Sequence, residues 1–220
     1  MQRITVSKEH AQNGVRREAF LDLYGGARRA FCGLIILVAV LAAGLFGQEF
    51  KLGSKVTNFT VTDLKGDTVS FDSLRGPTTV VIFVSTRCPI SNAFNGRMNE
   101  LYQAYSAKGI KFIFIDSNAD ESAAEVAKHA KSVGFLFPVY KDFDNVVADR
   151  FGAQSTPETY VIDQSNVIRY HGYIDDSTNP ARVRKHGLKT AIDDVLEGKP
   201  VETGETKAFG CTIKRSGRPS

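Results

Sequence analysis

At 220 residues, with a hydrophobic fraction of 42% and a charged fraction of 24%, the chain holds apolar material for one core plus an appendage. That excludes both a disordered polymer and a large multidomain assembly. The net charge of +4 sits at one end, because residues 1–29 carry six Lys/Arg against three Asp/Glu and the rest carries 22 against 21. The body is near neutral and has no basic stripe to neutralise a phosphate backbone, so no nucleic-acid partner is expected.

From Ala30 to Gln48 no charge appears, which at about 1.5 Å per residue is enough to cross most of a bilayer core. Arg16, Arg17, Arg28 and Arg29 precede the run and only Lys51 and Lys55 follow it closely. This asymmetry puts the amino terminus in the cytoplasm and the body across the membrane. The expectation is an uncleaved anchor that makes the membrane a partner. The alternative is a signal segment cut near Ala42-Ala43-Gly44, which would secrete the body to the same side. Cys32 is read as a lipid-facing apolar residue. The chain thus divides into a cytoplasmic segment (1–29), a membrane segment (30–48), a domain (50–200) and a carboxy-terminal tail (201–220).

Within the domain, Phe59 to Thr62 and Thr68 to Phe71 alternate around Asp63-Leu64-Lys65-Gly66-Asp67, as in a β-hairpin. Thr78 to Val84 is a β-branched run, expected as a central strand covered on both faces. Phe94, Met98, Leu101, Tyr102 and Tyr105 then recur at helical spacing. Lys111 to Ile115 reads as a second buried strand. Asp120 is expected to cap a helix with Ala124, Ala127, Ala130 and Val133 on its inner face and Gly134 at its end. A short strand near Phe135 to Tyr140 and a short helix near Asn145 to Phe151 follow. Glu158 to Ile162 and Val167 to Tyr173, joined by D-Q-S-N, form a second hairpin, and Arg182 to Leu196 a last helix stopped by Gly198. The order predicts an α/β fold: a mixed central sheet flanked by helices, with a leading β-hairpin.

The three cysteines, at 32, 88 and 211, cannot build a disulfide scaffold, and no Cys/His cluster suggests zinc. No glycine-rich phosphate loop follows any strand, so nucleotide binding is unsupported and no cofactor is implied. The start of a calcium loop at Asp116-Ser117-Asn118-Ala119-Asp120 fails at Glu121 and Ala127, and helix capping is the better reading. Histidines 10, 129, 171 and 186 stand singly, although His171 could approach Cys88 in space. The chemistry therefore rests on Cys88 in F-V-S-T-R-C-P-I-S. The following Pro89 suits the first helical position, which makes Cys88 the N-cap of a helix. Free N–H groups and the helix dipole there would stabilise a thiolate, with Arg87 able to add to the effect. A buried inert cysteine is the alternative. Pro157, opening an otherwise apolar strand, marks a backbone edge without a ladder donor.

F-V-S-T-R-C-P-I-S, followed about 70 residues later by S-T-P-E-T-Y-V-I-D, resembles the active-site strand and the cis-proline strand of the thioredoxin superfamily. Within it the chain looks like the redoxin group, most closely its peroxiredoxin-like (AhpC/TSA-type) branch of exported proteins. The similarity runs over about residues 50–215 and includes Y-I-D-D at 173–176 and G-C-T-I-K at 210–214. The resemblance implies a thioredoxin-like fold, a reactive Cys88 and a cis Thr156–Pro157 bond whose edge pairs with a substrate peptide. The chain departs from the dithiol pattern, since Ser91 stands where C-x-x-C has its second cysteine and the strand before Cys88 carries no acid. It also departs from the peroxidase pattern P-x-x-x-[TS]-x-x-C. Ser85 matches the hydroxyl position, but Val81 replaces proline, and whether Arg87 or Arg150 faces the thiol is left open. The lack of a second nearby cysteine argues against copper carriage.

Three functions follow. The first is an exported thiol-disulfide oxidoreductase with Cys88 as nucleophile. It acts on protein or small-molecule disulfides and is served by a reductant system. Arg87, Pro89, Ser91, Thr156 and Pro157 would contact substrate, and Cys211 would resolve the intermediate. The second is a thiol peroxidase acting on peroxides with the same cysteine. The third is a non-catalytic binding module. The resolving role rests on alternation: Phe209, Cys211 and Ile213 are spaced as on one face of an extended segment, with Gly210 permitting a close approach. A free cysteine in a packed tail is the alternative.

Overall fold

The computed structural model describes residues 49–217. The expected membrane segment 30–48, with its flanking arginines and Cys32, lies outside the described residues, and no described helix is long and apolar enough to cross a membrane.

β1 (Thr60–Thr62) and β2 (Thr68–Ser70) pair antiparallel as the leading hairpin. Its turn is fixed by Asp63, whose Oδ1 accepts from the N–H groups of Lys65 and Asp67, while Gly66 takes a φ of +102° that disfavours a side chain. Phe71, expected to end the second strand, instead opens α1 (Phe71–Leu74), because Ser70 caps that turn through its hydroxyl.

β3 (Thr79–Val84) is buried at every position. It runs parallel to β4 (Lys111–Asp116) on one edge and antiparallel to β7 (Glu158–Ile162) on the other. Between them the chain forms α2 (Pro89–Asn92), α3 (Asn95–Ser106), α4 (Ala123–Ser132), β5 (Val139–Lys141), α5 (Val146–Phe151) and β6 (Ser155–Thr156). β8 (Ile168–Gly172), α6 (Gly187–Leu196) and β9 (Cys211–Thr212) complete it. The main sheet runs β2-β1-β5-β4-β3-β7-β8, and β6 pairs with β9 beside it. This is the mixed, helix-covered sheet that the resemblance implies.

The period of two along the central strands separates two cores. Val81, Phe83, Ile113 and Ile115 face Phe50, Phe59, Phe71, Phe151 and Tyr160. Val80, Ile82, Phe112 and Phe114 face Phe94, Met98, Leu188 and Ile192. Each such side chain stabilises the fold by about 1.5–3 kcal/mol relative to exposure.

Three helix expectations need correction. The stretch after Cys88 is two helices, since α2 ends after one turn and α3 begins beyond Ala93 and Phe94. α4 is capped by Ser122, not Asp120. Ser122 and Glu125 form a reciprocal capping box, which leaves Asp120 free to pair with Arg87. The buried residue of α4 is Val126, whereas Ala124 and Ala127 are exposed. The last helix starts at Gly187, not Arg182, because Pro180–Arg182 forms a separate 3-10 turn. A Cβ at Gly187 would lie 2.3 Å from the Tyr170 hydroxyl, so only glycine lets the helix approach β8 this closely.

Candidate active site

Cys88 ends the loop leaving β3 and is the N-cap of α2. It is 2% exposed. Its sulfur accepts from the Ser91 N–H at 3.3 Å and the Cys211 N–H at 3.4 Å, and its S–H donates to the Thr156 carbonyl at 3.2 Å. The thiolate is thus held by individual N–H groups, one from a single helical turn and one from the tail, rather than by the axis of the longer helix. Burial pushes the Cys88 thiol up, but the Cys211 thiol, the Ser91 N–H, the Thr156 side chain and the Cys211 N–H outweigh it, so its pKa falls below the ordinary value. The Thr156 hydroxyl is buried near the sulfur with no hydrogen-bond partner of its own. Cys211 moves the opposite way: burial, the bond to Cys88 and the charge of the Cys88 thiolate raise it.

The two cysteines meet because the tail adds a strand. In the β6–β9 pair, Thr156 lies opposite Cys211 and Ser155 opposite Thr212, and the Ile213 N–H donates to the Gln154 carbonyl at 3.0 Å. The Thr156–Pro157 bond is cis. Gly210 is required where it stands, since a Cβ there would lie 2.0 Å from the Thr156 carbonyl oxygen. Ile213 is buried in the core, and Phe209 packs against Phe94 and Tyr173. Both thiols are free.

The other residues singled out in the sequence take varied positions. Ser91 is buried; besides its N–H on the sulfur, its hydroxyl accepts from the Ser85 N–H at 3.3 Å. Pro89 is the exposed first residue of α2. Arg87 turns to the surface and pairs with Glu125 at 2.7 Å and Asp120 at 3.3 Å. Arg150 donates to the Asn58 carbonyl and the Thr57 hydroxyl and lies over the Phe50 ring. Neither arginine bonds to the sulfur. His171 does not pair with Cys88; its Nε2 meets Glu158 Oε1 at 2.6 Å and its ring stacks on Tyr160.

Three supporting residues were missed in the sequence. Glu121, 3% exposed, accepts from the Ser85 hydroxyl, the Thr86 N–H and the Thr86 hydroxyl. Ser85 Oγ in turn accepts from the N–H groups of Cys88 at 3.1 Å and Arg87 at 3.2 Å, so one carboxylate fixes the loop that presents the thiol. Burial pushes Glu121 up, yet its bonds to Asp116, Ser85 and Thr86 bring it below the usual carboxylate value. Behind it, burial and the Glu121 carboxylate push Asp116 up to about 8 against the pull of Lys141, whose ammonium lies 2.6 Å away. Glu158 organises the other side: its Oε2 accepts from the Gln154 and Ser155 N–H groups at 2.9 and 3.0 Å, just ahead of Pro157. Asn145 clamps the tail, donating to the Ser117 and Lys214 carbonyls and accepting from the Ser216 N–H at 2.8 Å. The signal for Glu121 was its place beside a cap sequence. For Asn145, at a φ of +61°, residue type alone was suggestive.

The chain is similar to known proteins in sequence and in fold. The sequence model of the AhpC/TSA family matches residues 52–171. The chain is 30% identical over 121 residues to the thiol-disulfide oxidoreductase ResA of Bacillus thuringiensis (strain Al Hakam), covering 55% of this chain and 69% of that one. Among solved structures it resembles an uncharacterized conserved protein from Geobacillus kaustophilus, with a TM-score of 0.71 and 29% identity, over 77% of this chain and 95% of that one. It also resembles a hypothetical protein from Sinorhizobium meliloti 1021, with a TM-score of 0.70 and 28% identity, over 78% and 98% of the two chains.

Proposed function

The chain belongs to the AhpC/TSA family and is a thiol-disulfide oxidoreductase of the redoxin type, and from that premise we propose that its working dithiol is Cys88 and Cys211. The observation that carries this reading is the Cys211 N–H on the Cys88 sulfur, with Cys211 opposite Thr156 in the β6–β9 pair. In this reading the sulfur absent at Ser91 is supplied by the tail.

The Cys88 thiolate attacks one sulfur of a substrate disulfide. That S–S bond breaks, one substrate half leaves as a thiolate, and Cys88 carries the other half as a mixed disulfide. The Cys211 thiol then gives up its proton to solvent and attacks the Cys88 sulfur, closing the internal bridge and expelling the second half as a thiolate. Two electrons pass from the pair to the substrate. The lowered pKa of Cys88 makes it the sulfur that is ionised first, and the N–H groups of Ser91 and Cys211 hold that charge. Glu121 and Glu158 are positioning residues that fix the two backbone segments around it. A peroxidase would need a donor to the peroxide oxygens, and the two candidates, Arg87 and Arg150, are committed elsewhere, so disulfide exchange is the reading favoured. The uncharged 30–48 run supports an anchor holding the domain outside the cytoplasm; protease treatment of intact cells should then cleave the domain, and full protection would contradict it.

The activity test sets reduction of glutathione disulfide against consumption of hydrogen peroxide by the same reduced protein. Disulfide reduction that is lost in both Cys88→Ser and Cys211→Ser, with the faster rate on the disulfide, supports the proposal. Peroxide consumption as the faster reaction, or full disulfide activity in Cys211→Ser, contradicts it.

A further inference from the structure

We infer that the basic run from Arg182 to His186, with the cleft beside it, docks an acidic stretch of polypeptide flanking the disulfide on which the chain acts. This rests on the disulfide-exchange reading above and adds to it a substrate class: a protein or peptide disulfide with clustered Asp or Glu a few residues from one of its cysteines.

Every charged residue between Asp176 and Asp193 is positive: Arg182, Arg184, Lys185 and Lys189. Lys189 is satisfied by Asp193 at 2.6 Å, and the neighbouring His186 meets Asp175 at 2.7 Å. Arg182, Arg184 and Lys185 are exposed, and their side chains form no ion pair among the described residues. Like charges so close together repel one another and add nothing to the core. The run is nevertheless held in place, and Y-I-D-D at 173–176 does the holding. Asp175, 4% exposed, accepts from Arg97 at 2.8 Å as well as from His186. Asp176 Oδ1 accepts from the Arg184 N–H at 2.9 Å, and the Asp176 N–H donates to the Lys185 carbonyl at 3.1 Å. Arg97 lies on α3, 4.0 Å over the Phe94 ring, and also donates to the Ser177 carbonyl at 2.9 Å. The loop that carries the cations is thereby pinned to the helix next after the Cys88 turn.

Beside the run lies a cleft of about 860 Å³, with Arg184 and Lys185 on one wall and the chain from Lys199 to Thr206 on the other. Asp194 and Glu202 also line it, but Arg184, Lys185 and Lys199 leave the excess charge positive. The second wall is fixed to β8. There the Thr206 N–H donates to the His171 carbonyl at 2.9 Å, and the Thr206 hydroxyl bonds the Tyr170 hydroxyl at 2.8 Å. Tyr173 connects the cleft to the thiols, since it lines the cleft and its ring centroid lies 6.5 Å from that of Phe209, two positions before Cys211. Thr206 is five positions from Cys211, so a peptide crossing from the cleft to the thiol pair covers at most about 17 Å, or roughly five extended residues. Beside Cys88 itself, Arg87 is already neutralised by Asp120 and Glu125 and offers no free charge to an anion. A cleft admits a polypeptide and not a flat lipid surface. Carboxylates meeting these exposed cations speed encounter and lower KM more than they alter the sulfur chemistry, and salt screens the effect.

The test uses the full chain carrying Cys32→Ser, reduced. Its probes are three peptides of equal length whose single cysteine is joined to thiopyridine, with a run of Glu, Gln or Lys starting about five residues away. At low salt, kcat/KM for the Glu peptide is expected to be at least tenfold above that for the Gln peptide, with the Lys peptide slowest, and the gap should close as salt is raised. The double variant Arg184→Glu/Lys185→Glu should lower the Glu-to-Gln ratio at least tenfold, chiefly through KM. Rates that ignore peptide charge, or a ratio unchanged in the variant, overturn the inference and leave disulfide exchange intact. If no peptide reacts, the exchange reading fails, and fluorescence anisotropy of the same peptides with serine in place of cysteine decides docking by itself. Binding of the Glu peptide at least tenfold more tightly than the Gln peptide supports the inference, and equal binding overturns it. Charge-blind peptides together with variant-sensitive binding of the chain to phosphatidylglycerol vesicles would also overturn it, assigning the run to a membrane surface.

Discussion

Cys88 and Cys211 share hydrogen bonds yet are held by opposite means. Cys88 is fixed by local chain: a buried strand runs into it, proline follows it, and the N–H three residues on reaches its sulfur. Cys211 lies on a two-residue strand that exists only because the tail finds β6, Asn118 and Asn145. Local structure creates the anion site, and a long-range pairing brings the second sulfur to it. The difference separates what tunes a thiol from what pairs it: the first is written in neighbouring residues, the second in a partner 123 positions along the chain.

The largest effect should come from joining the two regions covalently. Closing a loop of that length removes denatured-state entropy worth about 5 kcal/mol before strain, which for a chain of this size raises Tm by roughly 10–20 °C. Calorimetry of oxidised and reduced protein in the Cys32→Ser background measures it. Cys211→Ser should erase the difference, and persistence of the difference in that variant would detach the tail from the redox change.

Next comes the support of the Cys88 side. Glu121→Ala strands the Ser85 and Thr86 donors in a buried site, and the expected loss is about 2–4 kcal/mol in urea unfolding. Alkylation of Cys88 should change in the same variant, because Ser85 no longer holds the Cys88 N–H. A variant as stable as the parent would mean that the loop is held by other contacts.

Breaking the clamp on the tail should cost less. Asn145→Gly keeps the left-handed backbone but deletes the bonds to Lys214 and Ser216, a loss of about 1–2 kcal/mol. Hydrogen exchange at Ile213 and Lys214 should accelerate while the N–H groups of β3 stay protected. Uniform acceleration of both regions would contradict their separate anchorage.

Stability should also depend on pH. Asp116, pushed up to about 8 by burial and by Glu121, titrates near about 3.9 when unfolded. The native state therefore retains a proton that the unfolded state has lost across that window. This group's contribution to stability declines as pH rises from about 4 towards 8. Asp116→Asn should flatten the profile over that range, and an unaltered slope would place the ionisation elsewhere.

What was legible in the sequence follows the same division. β-branched runs and period-two alternation gave the central strands, and Pro89 after Cys88 gave the N-cap, since each depends on contacts within a turn or a strand. The alternation of Phe209, Cys211 and Ile213 with a permissive Gly210 even suggested a tail that packs closely. Glu121, Asn145 and the engagement of Arg87 were not legible, because each acts on chain 33 to 71 positions away. Helix ends shifted for a related reason: Ser122 outcompeted Asp120 once Arg87 was near enough to take the aspartate.

A redox titration tests the central claim most directly. The Cys32→Ser chain is equilibrated in glutathione buffers of stepped potential and acid-quenched, and the linked Cys88–Cys211 peptide is quantified by mass. A single transition with a two-electron slope is expected, present in this protein and absent from Cys211→Ser. Two cysteines that become glutathionylated independently, with no linked peptide at any potential, would contradict it.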